Sequence, residues 1–351
     1  MTSRKGTKHT HNRRSEGQRL TKKERDDHFA AHLPSILQYH QLMLSDGVRN
    51  RALANAIKRA IKPGSHFLDI GAGTGVWAIM AAKLGAERVV AVEIEEALIP
   101  FIYKHAQENG VADRIEIIHG KSDDVKIRGR FDIIVSELFG SDAFGESVVR
   151  SFVDIRTRFL KPGGLLIPQS LAMYAAPAVV RSSVHDVPAS LDLKFDFFRS
   201  VKLNYGQSIA FSEHPSVEFV ADPIRLMQMD FSHLTPEDLP KEVSGSWKLR
   251  SLSKPNAIVT FCRSQFTDEI EMEGFDSQSW GTSFYTFAPL PKGPGVLNFR
   301  QSLDPEQMNW TVGVEGGPVQ NFAPVFAFTR VRMSQKLTPH RRFRSKDKPK
   351  G

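Results

Sequence analysis

Along residues 35–62 the apolar positions Leu42, Met43, Val48, Leu53, Ala56, Ile57 and Ile61 recur at helical spacing, and Lys62-Pro63-Gly64 closes the run. Short apolar strands then alternate with helical stretches. Residues 66–70 read as a strand entering a glycine turn, and 76–84 as a helix closed by Gly85. Residues 89–92 form a second strand, followed by a helix up to about Asn109-Gly110. Residues 115–119 and 131–136 are further strands, and 165–167 begin another after Lys161-Pro-Gly-Gly164. Buried strands separated by helices predict an α/β domain built on a largely parallel sheet covered on both faces.

After about Pro168 the helical period fades. Alternating runs at 216–220, 257–263, 282–287, 310–314 and 325–331, punctuated by Pro and Gly, predict an antiparallel sandwich or barrel. The boundary falls near residue 168, and no internal repeat is present. The expected organisation is a basic disordered tail over 1–28 and an α/β domain with N-terminal helices over 29–168. A β-barrel follows over 169–332, and a second basic tail over 333–351.

Charge sharpens this picture once it is located. The chain of 351 residues has a formal net charge of +8. Residues 1–25 and residues 331–351 each carry a net +7, which leaves −6 on the residues between them. The basic tails suit solvated ends or nonspecific contact with nucleic acid, and an acidic body suits a cationic substrate. Apolar residues are 40% and charged residues 25%, which excludes a disordered or fibrous chain. No apolar run reaches membrane-spanning length, and the N-terminus lacks the apolar region of a secretory signal. The single cysteine, Cys262, excludes an intramolecular disulfide and reads as a buried small hydrophobe. The histidines show no metal-ligand spacing, so no metal is expected. A cytoplasmic location is the expectation.

The candidate chemistry begins at Asp69-Ile-Gly71-Ala-Gly73-Thr-Gly75. Glycines let a backbone turn tightly beside a ligand, but the spacing is not the GxGxxG of dinucleotide sites, and Val76 stands where the third glycine would fall. Asp69 would be awkward beside a pyrophosphate. It suits an ammonium group, such as that of the methionine moiety of S-adenosylmethionine. Glu93, 18 residues after Gly75 at the next strand end, can hold both ribose hydroxyls. Another nucleotide and a purely structural turn remain the alternatives. A second constellation, Ser136-Glu137-Leu-Phe-Gly-Ser-Asp-Ala-Phe-Gly-Glu146, follows the fourth strand. Two carboxylates there suit a guanidinium, whose planar fork pairs with them through parallel hydrogen bonds. Two unrelated surface glutamates are the plainer reading of the spacing alone.

Three segments resemble the protein arginine methyltransferases: Tyr39-His-Gln-Leu-Met-Leu-Ser-Asp46-Gly-Val-Arg49, the run from Ile117 to Glu137, and Glu137–Glu146, which matches their double-glutamate loop. The wording of that loop is nearer the type seven and type five branches than the type one branch. Ser279-Trp280-Gly-Thr-Ser-Phe-Tyr285 is similar to their barrel loop. The resemblance spans about residues 39–315 and implies a class I methyltransferase: a Rossmann-like domain, then an antiparallel β-barrel. It implies that Arg49 pairs with the carboxylate of S-adenosylmethionine, with His40 beside it. Asp69, Gly71 and Gly73 would hold the methionine end, Glu93 the ribose, and Ser122 and Asp123 the adenine. Glu137 and Glu146 would clamp the substrate guanidinium as the catalytic pair. Met43, Asp46 and Trp280 would lie on the substrate side. It also implies a homodimer, with an arm near residues 187–212.

Two departures touch the substrate side. Ser279 stands where the family places a histidine before the tryptophan, so the usual acidic partner of that histidine, Asp46, has its pairing lost or replaced. Pro34 stands where many members carry a helix tyrosine. Methylation of arginine in protein or peptide is the leading expectation. Methylation of free arginine or another small guanidine is the alternative. A non-catalytic module contacting nucleic acid through the tails is the second alternative.

Overall fold

The computed structural model describes residues 22–138, 146–181, 207–209, 216–280, 282–304 and 309–322. The chain divides into two compact units, residues 1–41 and 42–351. The described part of the first unit is helical. It belongs to α1 (Lys22–Ser45), which carries Pro34 in its interior. The helix thus begins inside the segment expected to be a disordered tail, and residues 1–21 lie outside the described residues.

The helical stretch expected over 35–62 is broken at Asp46 into two helices. Asp46 caps α2 (Gly47–Ala60): its side chain accepts from the backbone N–H of Arg49. An aspartate at that position satisfies an orphan amide of the new helix, which is why the chain restarts there. Leu53, Ala56 and Ile57 turn one face of α2 into the core.

The alternating region folds as β1 (His66–Ile70), α3 (Val76–Lys83), β2 (Arg88–Glu93), α4 (Ile99–Glu108), β3 (Ile115–His119), β4 (Phe131–Ser136), α5 (Glu146–Phe159) and β5 (Leu160–Ile167). The strands form one parallel sheet in the order β3-β2-β1-β4-β5. The order reverses between β1 and β4, and in such sheets ligands sit at the carboxyl ends of the strands beside that reversal.

The rest is antiparallel: β6 (Ser170–Arg181), β7 (Gln207–Ile209), β8 (Ser216–Phe219), β9 (Ile224–Asp230), β10 (Glu242–Leu249), β11 (Ala257–Thr267), β12 (Ile270–Glu273), β13 (Thr282–Thr286), β14 (Gly295–Ser302), β15 (Trp310–Val314) and β16 (Val319–Phe322). One sheet runs β7-β13-β11-β6-β8, with β12 on β11 and β9 on β6, and the other runs β10-β14-β15-β16. Together they make a half-barrel lined by Trp247, Tyr285, Phe299, Trp310 and Phe322. Most of the expected arm, and the expected strand over 325–331, lie outside the described residues; of the arm, only 207–209 are described, as β7 paired with β13.

Candidate active site

The glycine turn is held by two consecutive residues at the end of β2. The backbone N–H groups of Gly71 and Ala72 donate to the carbonyl of Val92 at 2.9 and 3.0 Å. Glu93, the last residue of β2, accepts from the Gly73 N–H at 2.7 Å and the Glu95 N–H at 2.8 Å. Two of the turn positions admit only glycine. Gly71 has φ +75°, and a Cβ there would lie 2.9 Å from the Leu138 side chain. Gly75 has φ +87°, and its Cβ would lie 2.9 Å from Ile102. The turn is fixed before any ligand arrives, by the same carboxylate that the sequence marked as a ligand contact.

Asp69 is fully buried on β1, and one carboxylate oxygen accepts from the Ala78 N–H of α3 at 3.0 Å. The other, Oδ1, is buried with no hydrogen-bond partner. Burial pushes this carboxyl up to about 7; the Ala78 N–H opposes the rise, and the charges of Glu93 and Glu137 add to it. A buried acceptor without a donor is costly, so this oxygen is primed for a cationic donor.

Glu137 follows β4 directly. The Arg49 guanidinium donates to both of its oxygens, Nε to Oε1 and Nη2 to Oε2. The Trp280 indole N–H donates to Oε1 at 2.7 Å. The remaining side of Arg49 is also engaged: Nη1 donates to the Met43 carbonyl at 3.2 Å and to Asn50 Oδ1 at 2.7 Å. A guanidinium has five N–H groups, so one on Nη2 is left. Glu137 likewise keeps acceptor capacity only on Oε2.

Asp46 is buried and crowded with donors. Its Oδ2 accepts from Ser277 Oγ at 2.5 Å, Ser279 Oγ at 2.6 Å and the Ser279 N–H at 2.9 Å. Burial pushes this carboxyl up, but the bonds from Ser277, Ser279 and the Arg49 N–H outweigh it and hold it below the usual carboxylate range. The pairing that Asp46 would make with a histidine is therefore replaced by two hydroxyls.

The structure thus gathers Arg49, Asp69, Gly71, Gly73, Glu93 and Glu137 at one sheet edge, with Asp46 and Trp280 joined to Arg49 and Glu137. Met43 contributes its backbone carbonyl. His40 belongs to the first unit, where its ring stands edge-on to Tyr39. Ser122 and Asp123 follow β3; Asp123 is exposed and ion-paired to Lys121 at 2.6 Å. Glu146 opens α5, and its side chain and residues 139–145 lie outside the described residues. Sequence reasoning missed Asn50, Ser277 and Arg158. The last reaches from α5 to the carbonyls of Ser122 and Val125, the latter at 2.9 Å. No spacing signal marks any of them. Among the described residues no cluster of His, Cys, Asp and Glu could hold a metal ion, and no helix is long and apolar enough to cross a membrane.

A parallel sheet with a glycine turn after β1, acidic residues at the ends of β1 and β2, and a half-barrel behind it define a class I methyltransferase fold. The chain is a homologue of the protein arginine N-methyltransferases. Residues 52–176 match the family model of ribosomal protein L11 methyltransferase. A probable protein arginine N-methyltransferase 6.2 of Oryza sativa subsp. indica is 33% identical over 189 residues, covering 53% of this chain and 47% of that one. Protein arginine N-methyltransferase 6 of Danio rerio is 29% identical over 246 residues, covering 65% of this chain and 67% of that one. The chain spans about half the length of the first of these relatives. Two solved structures share the fold. The Trypanosoma brucei PRMT1 enzyme–prozyme complex with AdoHcy has a TM-score of 0.68 at 20% identity, covering 81% of this chain and 97% of that one. Arabidopsis thaliana protein arginine methyltransferase 10 has a TM-score of 0.66 at 21% identity, covering 82% and 98%.

Proposed function

We propose that this chain transfers a methyl group from S-adenosylmethionine to the guanidinium of arginine residues in protein. The observation that carries this reading is the Glu137 carboxylate: at the sheet edge that holds the primed Asp69 oxygen, it already holds a guanidinium, that of Arg49, in a bidentate fork. The relatives named as arginine methyltransferases support the substrate class.

The donor set fits the cofactor. Asp69 Oδ1 lacks only a donor, and an ammonium supplies one. Glu93 has lone pairs beyond the two it gives to Gly73 and Glu95, and these suit a ribose diol. The free N–H on Arg49 suits the cofactor carboxylate. Ser122 and Asp123, on the loop after β3, are the proposed adenine contacts. When bound, S-adenosylmethionine supplies an electrophilic methyl on a sulfonium.

The residues then act on the acceptor. A guanidinium is protonated at any physiological pH, so it cannot be deprotonated in advance. An anionic Glu137 draws positive charge to the nitrogen it holds and leaves electron density on another, which becomes the nucleophile. Glu146, nine positions on at the start of α5, is proposed as the second carboxylate and as acceptor of the departing proton. The Trp280 indole N–H holds Glu137 Oε1, so orientation is set in advance. The arrangement also sets a condition: Arg49 and the substrate compete for Glu137, and a cofactor carboxylate that draws Arg49 aside frees a full fork for substrate. The heterotetrameric assembly of the trypanosome neighbour supports the reading that this chain also works as an oligomer, with a homodimer the simplest form.

The test is transfer of label from methyl-labelled S-adenosylmethionine to an arginine-rich protein and to free L-arginine in parallel, with Glu137→Gln as control. Label on protein, lost in the variant, is expected. Label on free arginine alone would assign the enzyme to a small guanidine, and cofactor binding without label on either would leave a binding module.

A further inference from the structure

We propose that Ser277 is a positioning residue that sets the orientation of Glu137 through Trp280; for its kinetic arm the inference rests on the function proposed above. Ser277 is fully buried and follows the short helical turn Gly274–Asp276. Its hydroxyl donates to Asp46 Oδ2 at 2.5 Å and accepts from the backbone N–H of Trp280 at 3.0 Å and of Ser279 at 3.3 Å. A hydroxyl has one hydrogen and two lone pairs, so this one is fully committed.

These bonds close a circuit. Asp46 Oδ1 accepts from the Arg49 N–H at 3.1 Å. The Arg49 side chain forks onto Glu137, and Glu137 Oε1 accepts from the Trp280 indole. The Trp280 backbone N–H returns to Ser277, and Ser277 returns to Asp46. The circuit joins the start of α2, the end of β4 and the loop before β13. Asp46, Arg49, Ser277 and Trp280 are buried and the Glu137 side chain is 6% exposed, an environment where hydrogen bonds strengthen one another and an unmade one is expensive. Ser279 also bonds Asp46, but its hydroxyl makes no bond to Trp280. Ser279 reaches the Trp280 backbone only through the peptide bond, whereas the Ser277 hydroxyl ties the carboxylate to the Trp280 N–H itself. A serine that merely closed the preceding turn would need neither bond.

The first readout needs no catalysis. In amide NMR of the full chain, the Trp280 indole N–H signal is identified by its loss in Trp280→Phe. Ser277→Ala is expected to shift that signal distinctly further than Ser279→Ala does. The second readout is kinetic. Ser277→Ala is expected to raise KM for an arginine-rich substrate about tenfold, as loss of one buried hydrogen bond does, with cofactor affinity unchanged. In a Trp280→Phe background the same substitution should add no further rise. An unmoved indole signal in Ser277→Ala, an equal shift in Ser279→Ala, or a full additional rise in the Trp280→Phe background overturns the proposal. Should Ser277→Ala not fold, Ser277→Thr keeps the hydroxyl and must show the wild-type indole signal; a displaced signal there also overturns it. A shifted indole in a protein that methylates no arginine would sink the proposed function and leave the positioning role standing.

Discussion

Arg49 and Glu137 face each other as a closed fork, Nε on Oε1 and Nη2 on Oε2, with both side chains only 6% exposed. Each is the other's main neutralising charge. Removing one partner of such a pair strands a buried charge, which costs about 3–5 kcal/mol. Arg49→Ala is therefore expected to lower stability by about that much, and Arg49→Ala with Glu137→Gln by distinctly less than the sum of the two single changes. Chemical denaturation of the four species checks this; additive losses would show that the fork carries no coupling.

Asp69 predicts a pH signature. Its carboxyl has an ordinary value of 3.8 and sits at about 7 in the fold because it is buried, with Ala78 opposing and Glu93 and Glu137 adding. Between those values the folded chain keeps a proton that the unfolded chain has lost. Its contribution is therefore full below about pH 4, falls as pH rises through 7, and stays low above it. Asp69→Asn is expected to flatten that fall and to leave the ligand-free protein more stable than wild type at pH 8, by about 1–3 kcal/mol. Cofactor binding should show the opposite: wild-type affinity rises toward pH 8 with release of a proton, and Asp69→Asn loses about a hundredfold or more at pH 8, the loss expected when an ammonium faces an amide in place of a carboxylate. Calorimetry in two buffers of different ionisation heat reads both. A flat stability profile from pH 4 to 8 in wild type would refute the assignment.

The glycine-turn half of the candidate site was legible because its residues are near one another in sequence. A strand, a glycine turn, a helix and a second strand place Asp69 and Glu93 at one edge by topology alone, and the short apolar runs of β1, β2 and β4 marked their burial. The half built around Arg49, Glu137 and Asp46 was not. Ser277 meets Asp46 across 231 positions and Arg49 meets Glu137 across 88, separations that carry no periodic signal. The resemblance brought Arg49 and Glu137 into the site but gave them different partners, a cofactor carboxylate and a substrate guanidinium. Local features were also lost. In β6 the Ala-rich run around Pro177 has no alternation, since it is buried on both faces, so it carries no period-two signal. In β10 the inward Val243, Gly245, Trp247 and Leu249 alternate cleanly, but a glycine in the pattern hid them.

Arg158 ties α5 to the loop after β3. It donates to the carbonyls of Ser122 and Val125, pairs with Asp154 on its own helix and lies over the Phe159 ring. The Asp154 pair is half-exposed and worth little, but the two carbonyl bonds hold the backbone of the proposed adenine contacts. Arg158→Ala is expected to weaken cofactor binding about three- to tenfold, the cost of one to two net hydrogen bonds, and to change kcat with saturating cofactor by less than twofold. A fall in kcat with cofactor affinity intact would place Arg158 in the acceptor half of the site.

Asp46 predicts the behaviour of the acceptor half in acid. Burial opposes its ionised form, yet the bonds from Ser277, Ser279 and the Arg49 N–H win and keep its carboxyl below 3.8. A depressed acid contributes stability that is present above its unfolded pKa and lost as pH falls through the folded one. The window therefore lies below about pH 4, and the two serine partners do not titrate at all. A histidine in place of Ser279 would put a change of charge near pH 6.5 at the same carboxylate. With Ser279, the tie between Asp46 and the Trp280 loop is expected to be unchanged from pH 5 to 8. Asp46→Asn should lower stability by about 1–3 kcal/mol, because the amide presents a donor to hydroxyls and N–H groups that need an acceptor. Across pH 5 to 8 its dependence of KM on pH should keep the wild-type shape, and only Ser279→His should introduce a new step near neutrality. A step already present in wild type and abolished by Asp46→Asn would mean that the carboxylate titrates in that range after all.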